Sequence, residues 1–271
     1  MMLNVGLIGY GSIGSILAKA ISEGKAGDVR LVAVHDVLEK APFEQVDDRP
    51  RYATSIEGFL ENDLDVVVEA VSQNVLRRYA PLVLESGRDL VAMSVGAFSD
   101  GEWLATMDAL ARRHGRRIYL PSGAIGGLDA LSAANLDDIH HVSLTTIKPV
   151  SALKGSRSVI DPDLNLESLT EATCLYDGPA EEAIRHFPKN VNVAAALSLA
   201  TIGIHKTMVR IIADPHAENN MHRIEAEGNF GRLSLELSLK ASPANPKTSY
   251  LAALSAIRLI KGLTETVKIG T

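Results

Sequence analysis

Apolar and polar positions follow two different periods along this chain, and the change of period divides it. In the first part, short apolar runs bounded by turn residues predict buried strands over 3–8, 29–34, 65–70, 89–93 and 117–120. Between them, apolar positions recur at helical spacing: Ile13, Ile16, Leu17, Ala20 and Ile21, then helices over 75–85 and 102–114. Pro81 lies inside the second helix and should bend it or mark a late start. Trp103 is expected to pack on its own helix. The polar stretch 39–51, with Pro42 and Pro50, reads as loop. Strands alternating with helices predict a parallel sheet covered on both faces, with ligands gathering beyond the carboxyl ends of its strands.

Past Pro121 the period falls to two. Residues 141–147, 206–213, 221–227 and 232–239 alternate as half-buried strands do, and Gly228-Asn229 is suited to a hairpin connection. Helices are expected over 180–186 and 191–204, and an amphipathic helix follows Asn245-Pro246-Lys247-Thr248-Ser249 to about Lys261. The fold class that results is α/β: an N-terminal Rossmann dinucleotide-binding domain, then an α+β domain with a mostly antiparallel sheet. The boundaries are 1–121, 122–243, and a C-terminal helix over 244–271 returning to the first domain.

The first strand ends in Gly9-Tyr10-Gly11-Ser12-Ile13-Gly14, a glycine turn opening a helix. In that setting Gly9 permits the tight turn, Gly11 lets backbone approach a pyrophosphate and Gly14 brings helix and strand together, while N–H groups from Ser12 and Ile13 face the anion. Asp36 follows the second strand about twenty residues on, where a ribose hydroxyl needs an acceptor; an acid there favours NAD, with NADP possible. The loops at Ser72 and Ser94 leave the carboxyl ends of two further strands and are the next expected cofactor contacts.

Charge and cysteine content narrow the setting. A net charge of −6 over 271 residues argues against a nucleic-acid footprint. The single cysteine, Cys174, cannot form an internal disulfide and is expected as a small buried hydrophobe or an idle thiol. No Cys/His cluster has metal-ligand spacing, so no metal is expected. No apolar stretch approaches the roughly twenty residues that span a bilayer, and no basic segment precedes the first strand, so the expectation is a cytoplasmic protein without a membrane partner.

Of eight histidines, His222 stands out by alternating with Ile224 and Ala226 on one strand face. Taken by itself, that pattern favours a satisfied core histidine over a catalytic one. Asn190 stands where a helix N-cap is expected. Lys189 and Lys247, together with Thr248, are candidates to meet substrate carboxylates.

Several motifs in sequence order carry a resemblance. The glycine turn, Ser122-Gly123-Ala124-Ile125-Gly126-Gly127-Leu128-Asp129, Asn190-Val191-Asn192-Val193-Ala194-Ala195, Ala213-Asp214-Pro215 leading to His222, Glu225-Ala226-Glu227-Gly228, and Asn245-Pro246-Lys247-Thr248-Ser249 together resemble the L-aspartate dehydrogenase family over nearly the whole chain. The resemblance implies NAD(P)-dependent oxidation of L-aspartate to iminoaspartate, which hydrolyses to oxaloacetate and ammonia or feeds NAD biosynthesis. It implies His222 as the catalytic residue, Ala124 and Asn190 as nicotinamide-side contacts, and a homodimer formed through the second domain. Where many relatives have Lys-Pro-Pro, this chain has Lys148-Pro149-Val150, and no substrate role is carried onto that loop. The alternatives are a homoserine dehydrogenase or dihydrodipicolinate reductase type of enzyme, or a non-catalytic NAD sensor.

Overall fold

The computed structural model describes residues 2–36, 50–153, 165–187, 192–242 and 245–270, the side chains of 245–248 excepted. The chain divides into two compact units, Met1–Pro121 with Ala253–Ile269, and Ser122–Ala252 with Gly270–Thr271.

The first unit begins with strand β1 (Leu3–Ile8), helix α1 (Ser12–Ser22) and strand β2 (Val29–His35). A short strand β3 (Arg51–Ala53) and helix α2 (Ile56–Leu60) follow, then β4 (Val66–Glu69), α3 (Gln73–Glu85), β5 (Asp89–Ala92), α4 (Gly101–His114) and β6 (Ile118–Tyr119). The strands pair in the order β3-β2-β1-β4-β5-β6, and every pairing is parallel. This is the doubly wound order, and its reversal falls between β1 and β4. The central strands are apolar because helices cover both faces: Val5, Leu7, Val67, Val68 and Val91 have no exposed surface.

Local chemistry fixes the helix ends. Asp100 caps α4 by accepting from the N–H groups of Glu102 and Trp103, and Gly115 closes it in the left-handed region at φ 63° after Arg112, Arg113 and His114. Ser72 caps α3 by accepting from Val75 N–H, so this helix starts at Gln73 and runs through Pro81. Of the two outcomes expected from Pro81, the late start is therefore excluded, since the helix is already under way eight residues before it. Trp103, in the first turn of α4, packs on Phe98 at 4.6 Å and under the Arg77 guanidinium at 4.9 Å. Of the polar stretch 39–51, positions 39–49 lie outside the described residues, and Arg51 opens β3.

The second unit contains α5 (Leu128–Ala134), β7 (Ile139–Pro149), α6 (Val150–Leu153), β8 (Thr173–Pro179), α7 (Ala180–His186) and α8 (Asn192–Ala200). It continues with β9 (Met208–Asp214), β10 (Asn220–Gly228), β11 (Gly231–Leu239), and the small pair β12 (Ala241–Ser242) and β13 (Asn245–Ser249). Its main sheet has the order β11-β10-β7-β9-β8, antiparallel except for β7 beside β9. The β10–β11 hairpin closes at Gly228 and Gly231 around Asn229-Phe230. Alternation puts Val142, Leu144, Val209, Ile211, Ile224 and Ala226 on one face, packed with Phe187, Ala194 and Leu197.

One expectation changes in this unit and another narrows. Helix α8 ends at Ala200, before Gly203 at φ 84°, not at 204. Of the two roles expected for Cys174 the buried hydrophobe is excluded and the idle thiol is left, since it is exposed on β8 with its thiol donating to the Tyr176 carbonyl at 3.3 Å. The last helix, α9 (Tyr250–Thr264), belongs to the first unit from Ala253 onward; Ala253, Ala256 and Ile260 are its buried face.

Candidate functional site

In the first unit the site grows out of the β1–α1 turn. Gly9 adopts φ 96°, where a side chain is strained, and a Cβ there would stand 2.4 Å from Val71 Cγ2. Gly14 is demanded by approach instead: its Cβ would lie 2.0 Å from the Gly9 carbonyl oxygen. Gly11 differs from both, because a Cβ on it meets no protein atom within 4 Å. The protein's own packing gives no reason for glycine there, whereas a phosphate approaching the backbone does. Helix α1 starts at this turn without a side-chain cap and without an acidic residue in its first turn. Its positive end is left for an anion, and the residues fit a dinucleotide.

The turn is tied to its neighbours. The Asp36 carboxylate accepts from Tyr10 N–H at 2.6 Å, which fixes the acid at the carboxyl end of β2 beside the glycines. The Ala70 N–H donates to Ile8 O at 2.9 Å, which places the 70–72 loop against the same turn. Thus Gly9, Gly11, Ser12, Ile13, Gly14, Asp36 and the Ser72 loop come together. Ser72 is exposed, and its hydroxyl serves as the α3 cap.

Sequence reading missed Glu69 at the end of β4. Its carboxylate is 1% exposed and accepts from Val71 N–H (2.7 Å), Ser72 N–H (2.9 Å), Ser94 N–H (3.1 Å) and Ser94 Oγ (2.9 Å). Burial pushes its pKa above the usual carboxylate value, against the pull of these donors. Glu69 therefore braces the two loops that leave β4 and β5. The same bonds bury the Ser94 hydroxyl and commit it to Glu69. A lone acid ending an apolar strand was the available signal.

In the second unit, His222 is 4% exposed and lies on the inner face of β10 with Ile224 and Ala226, as alternation predicts. Its Nδ1 is hydrogen-bonded to Thr146 Oγ1 on β7 at 3.0 Å, which orients the ring and leaves Nε2 for chemistry. Burial, and then the charge of Lys148, push its pKa down to about 4, so the imidazole is neutral at pH 7. Lys148 is 7% exposed near the end of β7, and burial lowers it to about 8. The coupling acts in one direction: the imidazole has lost its charge by the pH at which the ammonium titrates.

Ala124 is buried in the loop that enters α5. The neighbouring Gly126 and Gly127 lie close to Leu235, which pairs with Ile224 two residues along from His222. This loop thus sits near the catalytic candidate within the unit. Lys189 and Asn190 lie outside the described residues, and Lys247 and Thr248 are described only as backbone of β13. Among the described residues, no group of three or more His, Cys, Asp or Glu side chains could hold a metal ion, and no helix is long and apolar enough to cross a membrane.

Residues 129–263 match the family model for the C-terminal domain of aspartate dehydrogenase. A curated L-aspartate dehydrogenase from Methanosarcina mazei is 43% identical to this chain, with each covering all of the other. The chain belongs to the L-aspartate dehydrogenase family. Residues 9–121 match the NAD binding domain model of homoserine dehydrogenase, so the first unit of this family member is an NAD-binding domain. The crystal structure of an aspartate dehydrogenase from Thermotoga maritima matches with a TM-score of 0.78 and 25% identity, over all of both chains. A Staphylococcus aureus homoserine dehydrogenase matches at 0.58 and 13% identity, over all of this chain and 80% of that one. That second likeness is one of fold alone. The chain is an oxidoreductase of the aspartate dehydrogenase kind, which sets aside the non-catalytic sensor.

Proposed function

We infer that the chain oxidises L-aspartate to iminoaspartate with NAD(P), and that His222 is its acid–base group. The observation carrying this reading is a neutral imidazole held by Thr146 on the inner face of β10, in a chain of the L-aspartate dehydrogenase family. Oxidation removes the Cα hydrogen with its electron pair and a proton from the amine nitrogen. The nicotinamide ring, when bound, supplies the hydride acceptor. His222 Nε2 takes the proton as the C=N bond forms and returns it to the imine nitrogen; it then takes one proton from the water that adds to the imine carbon and passes it to the departing ammonia, ending neutral as it began.

In this reading Gly9, Gly11, Ser12, Ile13 and Gly14 receive the pyrophosphate, Asp36 the ribose hydroxyls, and Ser72, Ala124 and Asn190 the remainder of the cofactor. Lys189, Lys247 and Thr248 stand as substrate contacts. Reduction of NAD and NADP over a panel of amino acids tests the assignment. Turnover with L-aspartate is expected; activity with L-homoserine and none with L-aspartate overturns it.

The same reading has the protein acting in the cytoplasm as a homodimer formed through the second unit's sheet. Support comes from its outer face, where Ile147, Ile212 and Met221 lie among the pairs Arg223–Glu236 and Arg210–Asp177 around a depression of about 230 Å³. Such a mixture suits a self-complementary contact. A concentration-independent monomer mass by light scattering removes the dimer.

A further inference from the structure

The inner face of the second unit's sheet changes character along its length. Over Val142, Leu144, Val209, Ile224 and Ala226 it is apolar, but toward the end of β7 it carries Thr146, Lys148, Asn220 and His222, each less than a tenth exposed. Folding alone gives no reason for this, since apolar residues would continue the core without desolvating an ammonium and a carboxamide. Thr146 and His222 satisfy each other. Asn220 does not follow suit: its carboxamide oxygen is buried and has no hydrogen-bond partner among the described residues. A buried acceptor left unmet is destabilising, and it marks a place where a donor arrives from outside the chain.

We propose that Asn220 and Lys148 contact the substrate, forming with His222 a receptor in which the Asn220 carboxamide oxygen accepts from the amino group of L-aspartate and the Lys148 ammonium binds a carboxylate. The proposal rests on L-aspartate being the substrate. Strands β10 and β7 pair His222 with Thr146 and Met221 with Ile147, and one step further they carry Asn220 and Lys148. Neighbours across such a pair stand about 5 Å apart, and two residues along one strand about 7 Å. Acceptor, cation and base thus lie within the reach of one small amino diacid. An amino group held by Asn220 lies beside the imidazole that takes its proton. A carboxylate on Lys148 pairs with a cation already stripped of most of its water, so the charge-assisted bond forms at close to full strength.

Asn220→Ala, Lys148→Met and Lys148→Arg in the full-length protein test this, with L-aspartate kinetics, NAD binding and melting temperature read together. Asn220→Ala is expected to raise KM for L-aspartate about ten- to hundredfold, the range of a hydrogen bond to a charged partner, with NAD affinity unchanged. Its melting temperature should change little, because the buried oxygen removed had no partner among the described residues and its release from burial offsets the packing lost with the rest of the carboxamide. Lys148→Met should raise KM at least as far, and Lys148→Arg should restore part of the loss. A merely structural role predicts the reverse, a lower melting temperature with KM intact, and overturns the proposal. If wild type oxidises L-aspartate while Asn220→Ala and Lys148→Met keep its KM, the receptor is wrong and the reaction stands. If wild type does not oxidise L-aspartate, yet succinate raises the melting temperature of wild type and not of Lys148→Met, the carboxylate receptor stands and the substrate assignment fails.

Discussion

The nucleotide turn and the inner sheet face recognise their ligands by opposite means. At the turn, recognition is done by backbone: glycines remove side chains, an uncapped helix presents N–H groups, and one carboxylate is fixed by a main-chain bond. On the sheet it is done by side chains, Thr146, Lys148, Asn220 and His222, held in a face that would be more stable if apolar. The difference teaches where each site is vulnerable. Backbone recognition fails by crowding, and side-chain recognition fails by loss of charge or proton.

The largest effect is expected at the sheet. His222→Ala removes the proposed acid–base group while leaving the first unit untouched, so kcat with L-aspartate should fall about 10²- to 10⁴-fold with NAD affinity retained. If His222 were only a packing residue, the melting temperature would drop and kcat would stay near wild type.

The same residue ties stability to pH. Its pKa is about 4 in the folded protein against an ordinary 6.5. Between these values the unfolded chain binds the extra proton, so the contribution of His222 to stability is complete above about pH 6.5 and is lost as pH falls toward 4. The shift corresponds to something on the order of 3 kcal/mol. Melting curves over this window should therefore fall more steeply for wild type than for His222→Leu, and parallel curves would show that the imidazole is not buried neutral.

The two regions also differed in how far they could be read from sequence. The turn is contiguous: Gly9 to Gly14 and the acid at Asp36 lie within one βαβ unit, where order and spacing carry the geometry. The sheet cluster joins residues more than seventy positions apart, and only the β7–β10 register brings Thr146 to His222. Alternation gave the correct face of His222 but was silent on its neighbours, so Asn220 went unnoticed and Lys148, though singled out at the Lys148-Pro149-Val150 departure, was given no substrate role. Strand β8 escaped because Asp177, Gly178 and Pro179 look like turn residues. Pro81 left two outcomes open, and the helix that runs from Gln73 through it excludes the late start.

Crowding at the turn gives a smaller effect, and a pair of substitutions resolves its cause. Gly14→Ala forces a Cβ to within 2.0 Å of the Gly9 carbonyl, so both stability and NAD affinity should fall, the former by about 1–3 kcal/mol as in other overpacked sites. Gly11→Ala meets no protein atom and should leave the melting temperature alone while weakening NAD. Should Gly11→Ala bind NAD as wild type does, the pyrophosphate does not approach this backbone.

The smallest effect separates the two roles of Asp36. Its carboxylate holds the turn through Tyr10 N–H and offers an acceptor to the ribose, so Asp36→Ala loosens the turn and removes a ribose contact together. Loosening acts equally on NAD and NADP, which share the pyrophosphate, and it cancels in the ratio of their kcat/KM values. The ribose contact does not cancel, because the carboxylate attracts a 2′-hydroxyl and repels a 2′-phosphate. The NAD-to-NADP ratio should therefore drop about tenfold in Asp36→Ala, the low end of what a charge-assisted hydrogen bond contributes. An unchanged ratio, with both cofactors weakened alike, would reduce Asp36 to a brace for the turn and leave cofactor choice to other residues.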